Sequence, residues 1–216
     1  NYVITFTDLT AQKAAQKEIN DLVFYDVLTG LPNRRMLMDH LHHAVALSGL
    51  HQRRDALLVI NLDNFKTLND TQGHEKGDLL LKQAATRLRA CIRDCDTVAR
   101  LGGDEFVVIL EGLHLSSSEA AENKNPDEAV AEVEAIAKKI LASLRRPYQL
   151  ADHSFESSAS IGIALFSDHP EAVDDLLKRA DLAMFQAKES GRNTLRFFDP
   201  DMQVNTDHQI IGAEAL

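Results

Sequence analysis

The stretch Thr97-Val-Ala-Arg-Leu-Gly-Gly-Asp-Glu-Phe-Val-Val-Ile-Leu110 decides the fold. It contains two apolar runs, at 97–101 and 105–110, on either side of a Gly-Gly-Asp turn. Glycines at a tight turn between apolar runs favour a β-hairpin, because they adopt the backbone angles that such a turn requires. The sequence therefore predicts two antiparallel strands, with the carboxylates of Asp104 and Glu105 at the tip of the hairpin.

Apolar patterning on both sides of this hairpin predicts the other elements. The run at 56–60 is unbroken, too short for a helix and β-branched at its end, which indicates a buried strand. Apolar residues at steps of three and four predict amphipathic helices. The predicted helices are 10–24, about 33–48, 75–93, 126–145, 171–177 and 179–189, and the further strands are 155–166 and 194–198. This mixture of helices with an antiparallel hairpin indicates the α+β class.

Composition excludes some classes of function. The chain has 216 residues and a formal net charge of −10, which argues against a nucleic-acid-binding surface, normally a basic one. The sequence contains no apolar run of membrane-spanning length and no signal peptide pattern. Two cysteines four residues apart, Cys91 and Cys95, fit a reducing cytoplasm. We therefore expect a cytoplasmic domain, attached to a membrane only through other domains of a parent protein.

The buried strand and the hairpin together carry groups suited to nucleotide chemistry. The strand ends at Asn61-Leu62-Asp63-Asn64, and Phe65-Lys66 then begins a short helix. Metal ions in nucleotidyl transfer need hard oxygen ligands, usually carboxylates, close to backbone groups that can meet phosphates. Amides at the start of that helix, with Lys66 nearby, suit a triphosphate. The glycines of the hairpin turn, Gly102 and Gly103, allow close approach of a ligand to the backbone.

Six stretches in order resemble the motif set of GGDEF diguanylate cyclases. They are Asp26-x-Leu-Thr-Gly-Leu-Pro-Asn-Arg-Arg35, Asn61-Leu-Asp-Asn-Phe-Lys-Thr-Leu-Asn-Asp70, Gly73-His74, Gly77-Asp78, Arg100-Leu-Gly-Gly-Asp-Glu-Phe106 and Ala187-Lys-x-x-Gly-Arg-Asn193. The resemblance covers about residues 22–199 and implies a palm-like central antiparallel sheet flanked by helices, the nucleotidyl cyclase-like GGDEF fold. It implies that two GTP molecules are condensed into cyclic di-GMP, with Mg²⁺ or Mn²⁺ as cofactor and a homodimer as the catalytic unit.

The resemblance also implies a role for each matching residue. Asn69 and Asp78 match the pair that hydrogen-bonds guanine, and cyclic di-GMP would inhibit the enzyme at an RxxD site formed by Arg93 and Asp96. The implied phosphate-binding and other substrate-binding residues are Phe65, Lys66, Gly102, Gly103, Lys188 and Arg192. The implied metal ligands are Asn61, Leu62 through its carbonyl and Asp104, and Asp63 is a further candidate from its position in the chain. The implied catalytic residues are Asp104, Glu105 and Lys66.

One position departs from the family pattern. The first metal ligand of the family is usually an aspartate, and this chain has Asn61 there, which replaces a charged oxygen by a neutral carbonyl. The loss of one negative charge is expected to weaken magnesium binding. Asp63 lies two residues further along, on the same face if the strand continues, and is therefore a candidate to substitute for the missing acid.

The departure at Asn61 leaves more than one function open. An active cyclase is the first hypothesis, since the signature, guanine and phosphate positions are intact. The second is a weak or inactive module that binds GTP or cyclic di-GMP and regulates a neighbouring EAL phosphodiesterase domain, to whose junction the tail 197–203 is similar. A plain dimerisation scaffold is the third, and it would bind no nucleotide.

The two ends of the chain predict the domain organisation. Residues 2–10 resemble the end of a PAS sensor domain, and the helix 10–24 has an apolar stripe that suits either a partner chain or its own domain. The sequence therefore predicts the end of an upstream sensor and a linker helix at 1–21, a GGDEF domain at 22–199 and a linker towards a further domain at 200–216.

Overall fold

The computed structural model describes residues 22–51, 54–113, 126–151, 153–167 and 172–200. The predicted helix 10–24 lies outside these residues except for 22–24, which are helical, and so does nearly all of the segment 200–216. The helices are α1 (Arg34–His51), α2 (Phe65–Gln72), α3 (His74–Arg89), α4 (Pro126–Leu144) and α5 (Val173–Glu189). The strands are β1 (Arg54–Leu62), β2 (Thr97–Gly102), β3 (Glu105–Leu113), β4 (Tyr148–Leu150), β5 (His153–Phe155), β6 (Ala159–Phe166) and β7 (Leu195–Phe197).

Five of these strands form the central sheet, in the order β2-β3-β1-β6-β7. The middle strand, β1, is antiparallel to β3 on one side and to β6 on the other, and β2 and β3 form the predicted hairpin. Only the short β7 at the edge runs parallel to its neighbour. The predicted α+β fold, a mainly antiparallel sheet flanked by helices, is therefore confirmed. No helix among the described residues is long and apolar enough to cross a membrane.

Helices cover both faces of the sheet, which explains why β1 is apolar without interruption. Alternate residues of a strand point to opposite faces, so Leu58 and Ile60 pack with α2, α3 and α4, whereas Leu57 and Val59 pack with α1 and α5. Because Asn61 follows in the same alternation, its side chain belongs to the face that α1 and α5 cover. The sheet thus presents the end of its central strand to the first and last helices of the domain.

Three sequence predictions differ from the structure. The strand predicted at 155–166 is interrupted after Phe155, and the three residues of β4 were not predicted because so short a segment shows no periodicity. The helices predicted at 171–177 and 179–189 form the single helix α5, in which no glycine or proline interrupts the hydrogen bonding. Helix α3 ends at Arg89, so Cys91 and Cys95 follow the helix; both are free thiols.

Gly162 allows α5 to lie directly on β6. A Cβ atom at this position would lie 2.0 Å from the Ala180 carbonyl oxygen and 2.1 Å from the Met184 amide nitrogen. Since both are backbone atoms, α5 would have to move away from the sheet. We therefore expect Gly162→Ala to lower the free energy of unfolding by about 3 kcal/mol, the upper part of the range for overpacked cores, measured by urea denaturation.

A substitution on the other face of the same strand provides the control. Ile163→Val removes one methylene group from a buried side chain and introduces no clash, so it should cost only about 0.5–1.5 kcal/mol. Equal losses in the two variants would contradict a direct backbone contact between α5 and β6.

Candidate active site

The site forms where β1 ends. Asn61 lies opposite Glu105 of β3 on one side and opposite Ser160 of β6 on the other, and it is only 6% exposed. The Leu62 amide donates a hydrogen bond to the Asp104 carbonyl over 3.2 Å, which ties the end of β1 to the hairpin turn. The fold therefore brings together the two stretches that the sequence predicts to share a site.

The hairpin turn leaves its backbone open to a ligand. Gly102 and Gly103 have φ values of +142° and +50°, which side chains rarely allow, and a Cβ atom on either would have no neighbour within 4 Å. The space above the turn is therefore free, as backbone contact with a ligand requires.

Arg100 links this turn to Asp26. Its guanidinium donates to the Gly103 carbonyl over 3.1 and 2.7 Å, and to both carboxylate oxygens of Asp26 over 3.0 Å. Thr29 also donates to Asp26 through its amide and its hydroxyl. Burial raises the pKa of Asp26, but the hydrogen bonds from Thr29 and Arg100 outweigh burial and lower the pKa below its ordinary value. The resemblance placed Asp26 and Arg100 in motifs without giving them a role.

Glu105 lies among charges of both signs. Burial raises the pKa of its carboxyl, as do the carboxylates of Asp181 and Asp104, whereas Lys188 and Arg34 act in the opposite direction; the net shift is upwards. Glu105, Arg34 and Asp181 also line a small cavity of about 100 Å³ between α1, α5 and the sheet. Sequence reasoning missed Arg34 and Asp181. Asp181 could have been found from its spacing to Lys188, because the two residues lie two helical turns apart on one face of α5.

Asp63, a predicted metal ligand, is engaged by protein donors. Its carboxylate is 3% exposed and accepts hydrogen bonds from the Ser158 hydroxyl over 2.6 Å, the Ser160 hydroxyl over 2.7 Å and the Asn193 amide over 3.1 Å. These donors come from β6, from the residue just before it and from the turn after α5. The carboxylate therefore joins three segments at this end of the sheet.

The residues predicted to bind guanine meet between α2 and α3. The Asn69 side-chain oxygen is buried without a hydrogen-bond partner and lies against Gly77, where a Cβ atom would be 2.0 Å from it. Asp78 follows Gly77 and is exposed, and Phe65 packs beneath. A buried amide oxygen without a partner is costly, so a rotation of the Asn69 amide that brought this oxygen to a ligand N–H group would be favourable. Lys66 is exposed on the first turn of α2.

The end of α5 carries the other basic residues. Burial raises the pKa of the Glu105 and Asp181 carboxyls, and Lys188 lies close enough to both to offset part of that rise. Arg192 is exposed in the turn that follows the helix. Gly191, Arg192 and Asn193 all have positive φ values, so the chain reverses sharply there.

The oxygen atoms at the end of β1 fit a hard divalent cation. Asn61 supplies an amide carbonyl directly opposite Glu105, and Asp104 lies near enough to raise the Glu105 pKa. Amide and carboxylate oxygens are the ligands that Mg²⁺ and Mn²⁺ accept. Among the described residues, however, no cluster of three or more acidic, histidine or cysteine side chains could hold a metal. These ligands therefore suit the cation, but they carry less negative charge than three carboxylates would.

Arg93 and Asp96 lie at the other end of β2 from the hairpin turn. Gly102 is six positions further along the chain than Asp96, which is about 20 Å of extended chain. Both residues line a cavity of about 1000 Å³ between α1 and the segment that joins α3 to β2. The Asp96 carboxylate accepts hydrogen bonds from the Arg93 and Glu111 amides, and the Arg93 guanidinium pairs with Glu132 of α4. The structure thus brings this predicted pair together, away from Asn61 and Glu105.

Comparison with known proteins identifies similar domains. The family model described as "Diguanylate cyclase, GGDEF domain" matches residues 23–194. The chain is 40% identical over 201 residues to MucR of Pseudomonas aeruginosa, a bifunctional diguanylate cyclase/cyclic di-GMP phosphodiesterase. That match covers 93% of this chain and 27% of MucR, so the chain spans about a quarter of the length of that relative.

Solved structures of isolated domains are similar as well. The GGDEF domain of TpbB from Pseudomonas aeruginosa is 36% identical, with a TM-score of 0.75, and the match covers 85% of this chain and 99% of that chain. The GGDEF domain of DgcB from Caulobacter crescentus, in complex with c-di-GMP, is 27% identical with a TM-score of 0.68. That match covers 81% of this chain and 95% of the other.

Proposed function

The chain belongs to the GGDEF diguanylate cyclase family, and from this premise we propose that it condenses two GTP molecules into cyclic di-GMP and releases two pyrophosphates. One observation carries the proposal. Asn61 and Glu105 face each other at the open hairpin turn, with Lys188 beside them. Oxygen ligands for a metal ion therefore lie beside a lysine that can bind phosphates, at a turn whose backbone is accessible.

Guanine would be recognised between α2 and α3. The half-buried Asn69 amide and the exposed Asp78 carboxylate together offer a donor and acceptors, which suit the O6 acceptor and the N1–H and N2–H donors of guanine. The missing partner of the Asn69 oxygen supports this assignment, because guanine would supply a hydrogen bond that the protein does not. Phe65 and the first turn of α2, with Lys66, would lie against the phosphates.

The proposed reaction follows from how these residues bind GTP. The 3′-hydroxyl of each GTP attacks the α-phosphorus of the other, so that two P–O bonds form and the two bonds to pyrophosphate break. Lys188 and Arg192 bind the β- and γ-phosphates, and Glu105 or Asp104 takes the hydroxyl proton. A Mg²⁺ or Mn²⁺ ion held by Asn61, the Leu62 carbonyl, Asp104 and Glu105 would neutralise phosphate charge and acidify the hydroxyl.

The reaction needs two copies of the domain. Each copy binds one GTP, so each provides half of the reacting groups, and two copies face each other in the catalytic homodimer. Turnover per protein molecule should therefore rise with protein concentration.

A turnover assay tests the proposal. The protein is incubated with GTP and Mg²⁺ or Mn²⁺ over a range of protein concentrations, and cyclic di-GMP and pyrophosphate are quantified by chromatography. We expect one cyclic di-GMP for two pyrophosphates. No cyclic dinucleotide at any concentration, with either metal, would refute catalysis.

The second candidate is a regulatory module without catalysis. Asn61 favours it, because the site has one carboxylate fewer than the family pattern. MucR, which is similar over nearly the whole chain, is bifunctional and also a phosphodiesterase, so a domain of this kind can belong to a protein that degrades cyclic di-GMP. Calorimetry that shows tight GTP binding, in a protein that does not turn GTP over, would support this alternative.

Product inhibition at Arg93 is a separate expectation. Arg93→Ala should raise the concentration of cyclic di-GMP needed for half-inhibition at least tenfold, since a charge-assisted hydrogen bond contributes about 1.5–3 kcal/mol. Initial rates should stay unchanged, because the residue lies far from Glu105. Stability should also be maintained, because Arg93 is 57% exposed and exposed ion pairs contribute little.

The matched control is Arg146→Ala, which removes an exposed arginine that does not line the cavity. It should leave inhibition unchanged. An equal effect of both variants would indicate that overall charge, rather than a site at Arg93, governs inhibition.

A further inference from the structure

The turn after α5 is backbone-strained and carries a residue proposed to bind phosphate. Arg192 and Asn193 have φ values of +62° and +48°, consecutive left-handed conformations that residues other than glycine adopt at an energetic cost. Within the turn, the Gly191 and Arg192 amides donate to the last carbonyls of the helix, those of Lys188 and Ala187. Such a conformation persists only where the surrounding structure holds it.

Two contacts hold this turn to the sheet. The Ile161 amide of β6 donates to the Thr194 carbonyl over 3.0 Å, and the Asn193 amide donates to the Asp63 carboxylate over 3.1 Å. The second contact lies one residue from Arg192. Asp63 is itself held by the hydroxyls of Ser158 and Ser160, so the anchor is rigid.

We propose that Asp63 is a positioning residue rather than a metal ligand: it fixes the turn after α5 so that Arg192 meets the phosphates of GTP. This inference rests on the proposed function, because it assumes that Arg192 binds a triphosphate. It assigns different duties to the two polar residues at the end of β1. Asn61 faces the cation site, and Asp63 acts on the nucleotide through the backbone of Asn193.

The hydrogen bonds around Asp63 favour positioning over metal binding. A carboxylate offers about four acceptor positions, and three are used by donors of the protein. The side chain is almost fully buried, so an incoming cation would have to enter the protein interior to reach the one acceptor position that these donors leave. Removing a buried acceptor also leaves its donors unsatisfied, which would release the strained turn.

Nucleotide binding without metal separates the two roles. Affinities for a non-hydrolysable GTP analogue and for GMP are measured by calorimetry, in EDTA and in Mg²⁺. Asp63→Ala should weaken binding of the analogue about tenfold in both conditions and leave GMP binding unchanged. Asp63→Asn should stay within about threefold of the unchanged protein, because its amide can accept from Ser158 and Asn193 and donate to the Ser160 hydroxyl.

A double-mutant cycle with Arg192→Ala completes the test. Once Arg192 is absent, Asp63→Ala should have no further effect on the affinity for the analogue. A loss seen only with Mg²⁺, an equal loss in Asp63→Asn, or full additivity with Arg192→Ala would each overturn the proposal.

A milder variant covers the case in which Asp63→Ala does not fold. Ser158→Ala removes one donor to Asp63, leaves the carboxylate in place and should weaken analogue binding about threefold, again without metal dependence. No loss of affinity in this variant would count against the proposal. If the unchanged protein binds the analogue but makes no cyclic di-GMP, the proposal of catalysis is refuted and the role of Asp63 can still be tested. If the unchanged protein binds no analogue, both proposals are refuted.

Discussion

Glu105→Gln should reduce cyclic di-GMP synthesis by about a hundredfold to a thousandfold. The change replaces a carboxylate that faces Asn61 across the central strand pair by a neutral amide of the same shape. Metal ions contribute several kcal/mol of charge stabilisation in transition states, and each loss of about 1.4 kcal/mol lowers a rate tenfold. With Asn61 already neutral, the site would then retain Asp104 as its one proposed carboxylate ligand.

Stability should move in the opposite direction. Burial, with the neighbouring carboxylates, raises the pKa of Glu105 above its ordinary value. A carboxyl whose pKa is higher in the folded than in the unfolded state binds protons more tightly when folded, so its ionised form destabilises the fold and stability rises as pH falls through that pKa. Glutamine removes this cost. The melting temperature at neutral pH should therefore be unchanged or slightly higher.

The combination of the two results makes the prediction specific. Initial rates and thermal melts in EDTA are compared with those of Glu128→Gln, which changes an exposed glutamate at the start of α4 and should alter neither. A loss of activity that accompanied a loss of stability would mean that Glu105 supports the fold, and its role in the chemistry would have to be abandoned.

Sequence patterns were sufficient for the central part of the fold. The hairpin at 97–110 has a glycine turn, and the apolar run at 56–60 is short and β-branched. Both features favour strands, and β1, β2 and β3 lie where these patterns predict. The short strand β4 was missed because three residues show no period. The interruption before β6 was also missed, since the Ser158 carbonyl bonds to the Asp63 amide there, a long-range contact with no local signal.

Site residues that belong to sequence motifs were predictable, whereas residues that reach the site only through tertiary contacts were not. The Gly-Gly-Asp-Glu turn and Asn61 were identified from their motifs, and the structure places Asn61 and Glu105 opposite each other. Arg34 and Asp181 were not, because they come from two helices more than a hundred residues apart that meet only when both pack on the sheet. Asp63 was identified as a candidate ligand from strand alternation. Alternation predicts the face on which a side chain lies but not the protein groups that donate hydrogen bonds to it.

Asn61→Asp should increase cyclic di-GMP synthesis about tenfold at limiting Mg²⁺. The substitution restores the acidic residue of the family pattern in a site where Glu105 and Asp104 lie nearby. A carboxylate binds a hard cation more strongly than an amide does, so the Mg²⁺ concentration for half-maximal rate should fall. At saturating Mg²⁺ the gain should be smaller, because the cation is then bound in both proteins.

The same change should destabilise the protein without metal. Asn61 and Glu105 are a directly opposed cross-strand pair, and like charges in such a pair are destabilising, by up to about 1 kcal/mol. The melting temperature of Asn61→Asp in EDTA should therefore fall below that of the unchanged protein, and Mg²⁺ should restore it, since binding to the folded state stabilises that state.

A second new acid distinguishes the position from the charge. Gln149→Glu adds the same charge at an exposed position of β4, outside the central sheet, and it should change neither the Mg²⁺ dependence nor the melting temperature. If Asn61→Asp leaves the Mg²⁺ dependence unchanged as well, the amide already serves as a full ligand. If Mg²⁺ restores the melting temperature but no synthesis appears, the charge at position 61 governs metal binding and something else limits catalysis. That result would favour a regulatory module.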